Sequence, residues 1–140
     1  MKHPPEILLG FDFGLKRIGV AVGQTVTKTA RPLTMLPAIQ GIPSWETVQK
    51  LINDWQPDAL VVGIPLNMDG TTQTLTELAQ QFAHRLKERF NLPIYEVDER
   101  LTSVEAKDNV FKQGGYKALK KTQIDSIAAQ LILQNWLDEQ

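Results

Sequence analysis

The stretch ILLGFDFGLKRIGVAVG, residues 7–23, decides how the rest of the chain is read. Its first seven residues are apolar apart from Gly10 and one carboxylate, Asp12. An unbroken apolar run of this length suits a strand buried on both faces, whereas an alternating run would suit a sheet with one wet face. Gly14 breaks the run, Lys16 and Arg17 supply a polar turn, and residues 18–22 read as a second strand punctuated by Gly19 and Gly23. The simplest arrangement is a hairpin whose first strand lies at the centre of a sheet. A carboxylate on such a strand is costly unless something compensates it. Asp12 therefore stands at the strand's solvent-reaching end, beside a cation, or in a site that holds metal ions. The plain alternative is an Asp that starts the turn at Gly14.

Downstream, RPLTMLP (residues 31–37) reads as a third strand whose prolines suit a sheet edge or strand ends. Ser44 opens a helix in which Trp45, Val48, Leu51, Ile52 and Trp55 recur at helical spacing, and Gln56-Pro57 closes it. ALVVGIP (residues 59–65) is a second continuous apolar run and so a second buried, parallel strand. The loop 66–70 leads into the strongest helix, residues 74–90. There Thr74 with Glu77 spells a capping box, and Leu75, Leu78, Ala79, Phe82, Ala83, Leu86 and Phe90 form the buried stripe. His84 falls off that stripe, faces water and is assigned no function. Residues 94–98 make the last strand, Thr102 with Glu105 caps a helix to about residue 111, Gly114-Gly115 ends it, and a final helix covers 122–137. The order βββαβαβαα predicts one α/β domain over residues 1–140: a mixed five-stranded sheet with helices on both faces.

Composition narrows the chemistry. At 140 residues the chain can bury a core of its own without staples. The absence of cysteine excludes disulfides and thiolate zinc sites and fits the cytoplasm, and two histidines are too few for a histidine metal cluster. A metal site here would be built from oxygen ligands, which suits Mg²⁺ or Mn²⁺. MKHPPE lacks an apolar signal region, and no apolar run reaches membrane-spanning length, so a cytoplasmic protein with no membrane partner is expected. The net charge of −1 does not advertise nucleic-acid binding, which would have to rest on local patches.

Acids at the ends of neighbouring elements are raw material for a phosphoryl-transfer site, where two ions about 3.5–4 Å apart would activate water and stabilise the leaving oxygen. Asp12 is one candidate. VDER (residues 97–100) offers Asp98 and Glu99, which point to opposite faces of a strand, so only one can readily share a site with Asp12. If that strand is two positions away in the sheet, roughly 10 Å, the longer Glu99 is favoured provided it faces the same way. Either acid is also explained by pairing with Arg100 or by standing ahead of a helix cap. The third candidate is Asp125, whose helical neighbours Ala128, Ala129, Ile132 and Trp136 form an apolar, partly small flank that can approach the sheet. Standing three residues after Thr122, it is equally a residue that caps the helix and opposes its dipole. Lys16, Arg17 and Arg100 lie beside these acids, and Lys107, Lys112, Lys117, Lys120 and Lys121 precede Asp125. Cations so placed would meet a phosphate backbone, although a solvated helix face explains the lysines as well.

Four blocks, DFGLKRIGVA (12–21), GIPLNMDG (63–70), VDERLTSVEA (97–106) and DSIAAQLIL (125–133), resemble the signature blocks of the YqgF family. Its members are small bacterial proteins described as pre-16S rRNA nucleases or Holliday junction resolvase-like proteins. The resemblance implies an RNase H-like fold, divalent-metal-dependent phosphodiester cleavage, and Asp12, Glu99 and Asp125 as catalytic and metal-holding acids. It makes Asn67, in GIPLNMDG, a candidate substrate contact, beside the ordinary reading of a strand-to-helix turn. With Lys16, Arg17, Arg100, Lys120 and Lys121 it completes the expected nucleic-acid-binding set.

The leading expectation is a nuclease that matures precursor 16S rRNA during ribosome biogenesis. The rivals are a nuclease resolving four-way DNA junctions, a non-catalytic RNA-binding ribosome-assembly protein, and an actin-like ATP-binding module suggested by Asp12-Phe13-Gly14 and Gly19. The last is disfavoured because such ATPases pair two related domains around nucleotide and this chain holds one. Junction resolution needs two symmetry-related sites. Only Trp136 and Leu137 are suspected of partial exposure, so a monomer acting on RNA is expected.

Overall fold

In the computed structural model the described residues are 6–67, 69–99 and 121–140, with side chains of the last segment described from residue 126. Among them, six strands form one sheet: β1 Ile7–Asp12, β2 Arg17–Gln24, β3 Thr29–Ile39, β4 Ile42–Pro43, β5 Ala59–Ile64 and β6 Ile94–Asp98. Three helices accompany them: α1 Trp45–Trp55, α2 Thr74–Phe90 and α3 Lys121–Asp138. The strand order is β4-β3-β2-β1-β5-β6. β1 is antiparallel to β2 and parallel to β5, and β6 is parallel to β5. The sheet is therefore mixed, with the first strand inside it, as its unbroken apolar run predicts.

Five strands were expected; the sixth is β4, two residues that pair Ala38 with Pro43 and Ile39 with Ile42. So short a ladder carries no periodicity for a sequence reading to find. The third strand also outruns the expected 31–37, because Thr29 and Ala30 continue the ladder with β2 past a register shift at Val20/Ala21.

Alternation along the strands divides the core. Leu9, Phe11, Phe13, Val20, Leu60 and Val62 face one way and pack with Val48 of α1 and Ala79, Phe82, Ala83 and Leu86 of α2. Leu8, Ala21, Ala59, Val61 and Val97 face the other way and pack with Ala129, Ile132, Leu133 and Leu137 of α3. Phe82 joins the layers of the first face, meeting Phe11 edge-on at 5.7 Å and stacking with Trp45 at 6.1 Å between ring centres.

The helix ends differ from expectation in instructive ways. Ser44 is the N-cap of α1, but its side chain makes no capping hydrogen bond. In α2 the box is formed by Gln73 and Thr76, not by Thr74 and Glu77, because Thr74 already has helical conformation. Thr76 is fully buried; its hydroxyl accepts from Gln73 N and donates to Pro65 O, tying the helix start to the end of β5. His84 is exposed and pairs with Glu88 at 2.9 Å. Leu137, suspected of exposure, is fully buried against the sheet, while Trp136 is half-buried against Tyr95. The helix expected over 102–111, with its Thr102–Glu105 box and Gly114-Gly115, lies outside the described residues. No helix among the described residues is long and apolar enough to cross a membrane.

Glycine lets α3 lie unusually close to the sheet. A Cβ on Gly10 would stand 2.8 Å from the Leu133 Cβ and 3.4 Å from the Ala129 carbonyl oxygen. Neither atom is a flexible tip, so the helix itself must yield. Gly10→Ala should therefore destabilise the fold by about 1–3 kcal/mol through overpacking. Urea unfolding should show a lower midpoint with an unchanged slope, and an unshifted midpoint would contradict this packing.

Candidate functional site

The parallel registers set Asp12 beside Gly63 and Gly63 beside Val97. Residues paired across a sheet share a face. Leu8 and Val97 pack on α3, so Asp12, four residues beyond Leu8, belongs to the α3 face, at the C-terminal end of β1 and half-buried. Glu99 is the first residue past β6 and two beyond Val97, which keeps it on the same side. Asp98, paired with Ile64, belongs to the face of α1 and α2. Register separates these two acids: Glu99 shares a side with Asp12 and Asp98 does not.

Gly63 brings them together. A Cβ there would lie 2.8 Å from Glu99 Oε1, 3.0 Å from Glu99 Cγ and 2.5 Å from Ile132 Cδ1. The Glu99 carboxylate thus fills the space a side chain at position 63 would take, and that space adjoins Asp12 one strand spacing away, about 4.8 Å. Sequence reasoning missed this role although a signal existed. Gly63 is the one glycine in the fully buried run ALVVGI, and glycine inside a strand often marks a close approach.

Glu99 Oε1 is buried and has no hydrogen-bond partner among the described residues. An oxygen of a carboxylate left so is costly unless a cation completes it. The donors are hard oxygens, so Mg²⁺ or Mn²⁺ fits them and a soft metal does not. Among the described residues no three acids or histidines gather as a metal cluster; Asp12 and Glu99 are the pair the fold assembles.

Asp125 lies in the first turns of α3, and its side chain is outside what is described. The helix runs opposite to β1: Leu133 and Leu137 lie over Gly23, the neighbour of Leu8, whereas Ala129 and Leu133 lie over Gly10. Going from Gly10 to Asp12 covers about 6.6 Å of strand. About four helical residues span the same distance, which carries the start of α3 to the Asp12 end of the sheet.

Of the expected phosphate contacts, Arg17 opens β2 and alternates with Gly19, the partner of Asp12, so it belongs to the same face. Lys16 is exposed in the adjoining turn, where its carbonyl accepts from Ala38 N at 2.8 Å. Asn67 is exposed in the loop after β5, but its Nδ2 donates to Thr71 Oγ1 at 3.0 Å and its N–H to the Thr71 carbonyl at 2.9 Å. Asp69 accepts from Thr71 N and Oγ1 in the same loop. Asn67 therefore shapes the loop that follows β5. Lys121 begins α3, its side chain undescribed; Arg100 and Lys120 lie outside the described residues.

A model of the family described as RuvX, Holliday junction resolvase, matches residues 6–139. A relative from Haemophilus ducreyi named "Putative pre-16S rRNA nuclease" is 58% identical over 131 residues, covering 94% of this chain and 95% of that protein. One of the same name from Shewanella oneidensis is 53% identical over 133 residues, covering 95% and 94%. Among solved structures, the RuvC of T. thermophilus in complex with Holliday junction substrate superposes with a TM-score of 0.60 at 15% identity, covering 96% of this chain and 94% of that one. The fowlpox virus Holliday junction resolvase gives 0.54 at 15% identity, covering 96% and 99%. At such identities the likeness speaks for the fold alone, which is that of these RNase H-like resolvases.

The buried oxygen of Glu99, without a hydrogen-bond partner among the described residues, bears on stability. Glu99→Gln keeps the shape and removes the charge, so in the presence of a chelator it should raise stability by about 1 kcal/mol. Thermal unfolding in EDTA checks this, and a clear loss of stability would mean that the carboxylate is already satisfied within the protein.

Proposed function

The chain belongs to the RuvX family, and from that premise we propose that it is a cytoplasmic, divalent-metal-dependent nuclease that hydrolyses phosphodiester bonds in precursor 16S rRNA. The observation that carries this reading is Glu99 Oε1, buried without a hydrogen-bond partner among the described residues in the space over Gly63, the β5 residue paired with Asp12. Asp12 and Glu99, joined by Asp125 from α3, would hold Mg²⁺ or Mn²⁺. Such ions, when bound, lower the pKa of a coordinated water and neutralise charge on the leaving oxygen.

The protein's share is positioning. Asp12 is held by a strand paired on both sides, and Glu99 is braced by the cleared space over Gly63 and by Ile132. Rigid strand ends keep two like charges close without a rearrangement on binding. Arg17 and Lys16 lie at the lip and, with Arg100, Lys120 and Lys121, would meet the phosphates flanking the scissile bond. The loop organised by Asn67 follows β5, the strand between those that carry Asp12 and lead to Glu99.

A second reading, resolution of four-way DNA junctions, is favoured by the family's description. It needs a two-fold dimer. The exposed apolar residues Leu15, Ile39 and Ile42 gather where the hairpin turn meets the β3–β4 turn, with Gly41 N donating to the Leu15 carbonyl. Three side chains fall well short of the about 800 Å² that each partner gives to a standard interface. A monomer acting on RNA is the state we propose.

Asp12→Asn and Glu99→Gln should each abolish cleavage of precursor rRNA with unchanged circular dichroism, and Asp98→Asn should retain most activity. A chelator should stop the wild-type reaction and added Mn²⁺ restore it. Full activity with Asn at position 12 would end the metal-nuclease reading. A stable dimer in light scattering that cuts a synthetic junction symmetrically and leaves RNA intact would establish the second one.

A further inference from the structure

Tyr95 and Trp136 stand apart from the core they border. Their ring centres are 4.9 Å apart and their planes tilted by 30°. Tyr95 is 36% exposed on β6, and Trp136 is half-buried on the last turns of α3. Their neighbours in the same rows, Val97, Ile132 and Leu133, are buried. Burial therefore stops at these two rings. They form the rim of the α3 face, between the helix and the outermost strand.

That rim lies on the same face of the sheet as the carboxylate site. Tyr95, Val97 and Glu99 alternate along one side of β6, and Trp136 and Ile132 succeed one another along α3, with Ile132 reaching the space over Gly63. The four residue steps from Tyr95 to Glu99 cover about 13 Å. That is about four nucleotides at the 3.4 Å rise per phosphate of one strand of a duplex, and fewer for an extended strand.

We propose that Tyr95 and Trp136 form a stacking platform for an unpaired base of a single-stranded segment of the substrate, a few nucleotides from the scissile phosphate. The assignment rests on the nuclease reading for its substrate class, and on the shared face of the sheet for its location. An unpaired base matches the surface better than a duplex does. The nearby groups Asp138 and Glu139 are exposed acids that would repel a phosphate, whereas a base presents a neutral π-face. Stacking is also tolerant of sequence, so the platform would help hold an RNA end without selecting its bases.

Binding of a fluorescein-labelled single-stranded oligoribonucleotide is measured by anisotropy on an Asp12→Asn background, which removes cleavage from the readout. Tyr95→Ala should weaken binding about tenfold, Tyr95→Phe should restore it, and the slope of log Kd against log salt should be the same in all three proteins, because no phosphate contact is lost. Trp136→Phe, which keeps an aromatic ring against the core, should bind within a few-fold of the parent. The proposal is overturned by undiminished binding in Tyr95→Ala, by failure of Phe to restore it, by a changed salt slope, or by no measurable binding in the parent. A protein with Asp12 intact that binds RNA through the platform but never cuts it would sink the nuclease reading and leave this one standing.

Discussion

The approach of α3 to the sheet is the constraint on which the rest of this structure depends. Gly10, Gly23 and Gly63 each leave a space that a residue of α3 enters: Leu133 at Gly10, Leu133 and Leu137 at Gly23, and Ile132 at Gly63. The stripe crosses β2, β1 and β5, so one helix covers the middle of the sheet at a distance that side chains would forbid. Dispersion contacts are individually weak and collectively large, and close contact multiplies them. The helix is further pinned at its edge, where Gln134 accepts from Ala30 N and donates to the Lys28 carbonyl, and Gln130 donates to the Ala30 carbonyl. Together these contacts fix α3 laterally as well as in depth.

This anchoring matters to the site because the acids come from separate elements. Asp12 is set by β1, Glu99 by the end of β6, and the start of α3 arrives at the same end of the sheet only because its later turns are locked onto Gly10 and Gly23. The same closeness buries Glu99 Oε1 without a hydrogen-bond partner among the described residues. A fold optimised for stability alone would not leave a carboxylate oxygen so placed, and unsatisfied buried polar atoms concentrate where function demands them. Stability and site thus share one geometry. The glycine that admits Glu99 also admits Ile132, and the apolar contact offsets part of the cost of the polar one.

The opposite face of the sheet has a separate task. Phe82 of α2 meets Phe11, Phe13 and Trp45, and Arg89 lies over the Trp45 ring at 4.4 Å. These contacts tie α1 and α2 to β1 from behind. Asp12 is then carried by a strand clamped on both faces, with little freedom to move when a ligand arrives. The exposed edges are blunted: β4 has only two residues, and Pro32 and Pro37 interrupt β3.

Much of this was legible without coordinates. Two unbroken apolar runs announced the buried strands β1 and β5, helical spacing placed α1 and α2, and four signature blocks carried the family resemblance. Local chemistry determines such features, because a strand's burial and a helix's stripe are written in neighbouring residues. The register was not legible. Whether Asp98 or Glu99 shares a side with Asp12 turns on pairing through Gly63, and a slip of one residue would have reversed the answer. The short β4 was hidden because two residues carry no periodicity, the Gln73–Thr76 cap because Thr76 is also tied to Pro65 at the end of β5, and the burial of Leu137 because it packs over the distant Gly23. Residue types and periodicity were determined by the sequence alone; only tertiary packing, through long-range register and the close approach of α3, decided which of those residues meet.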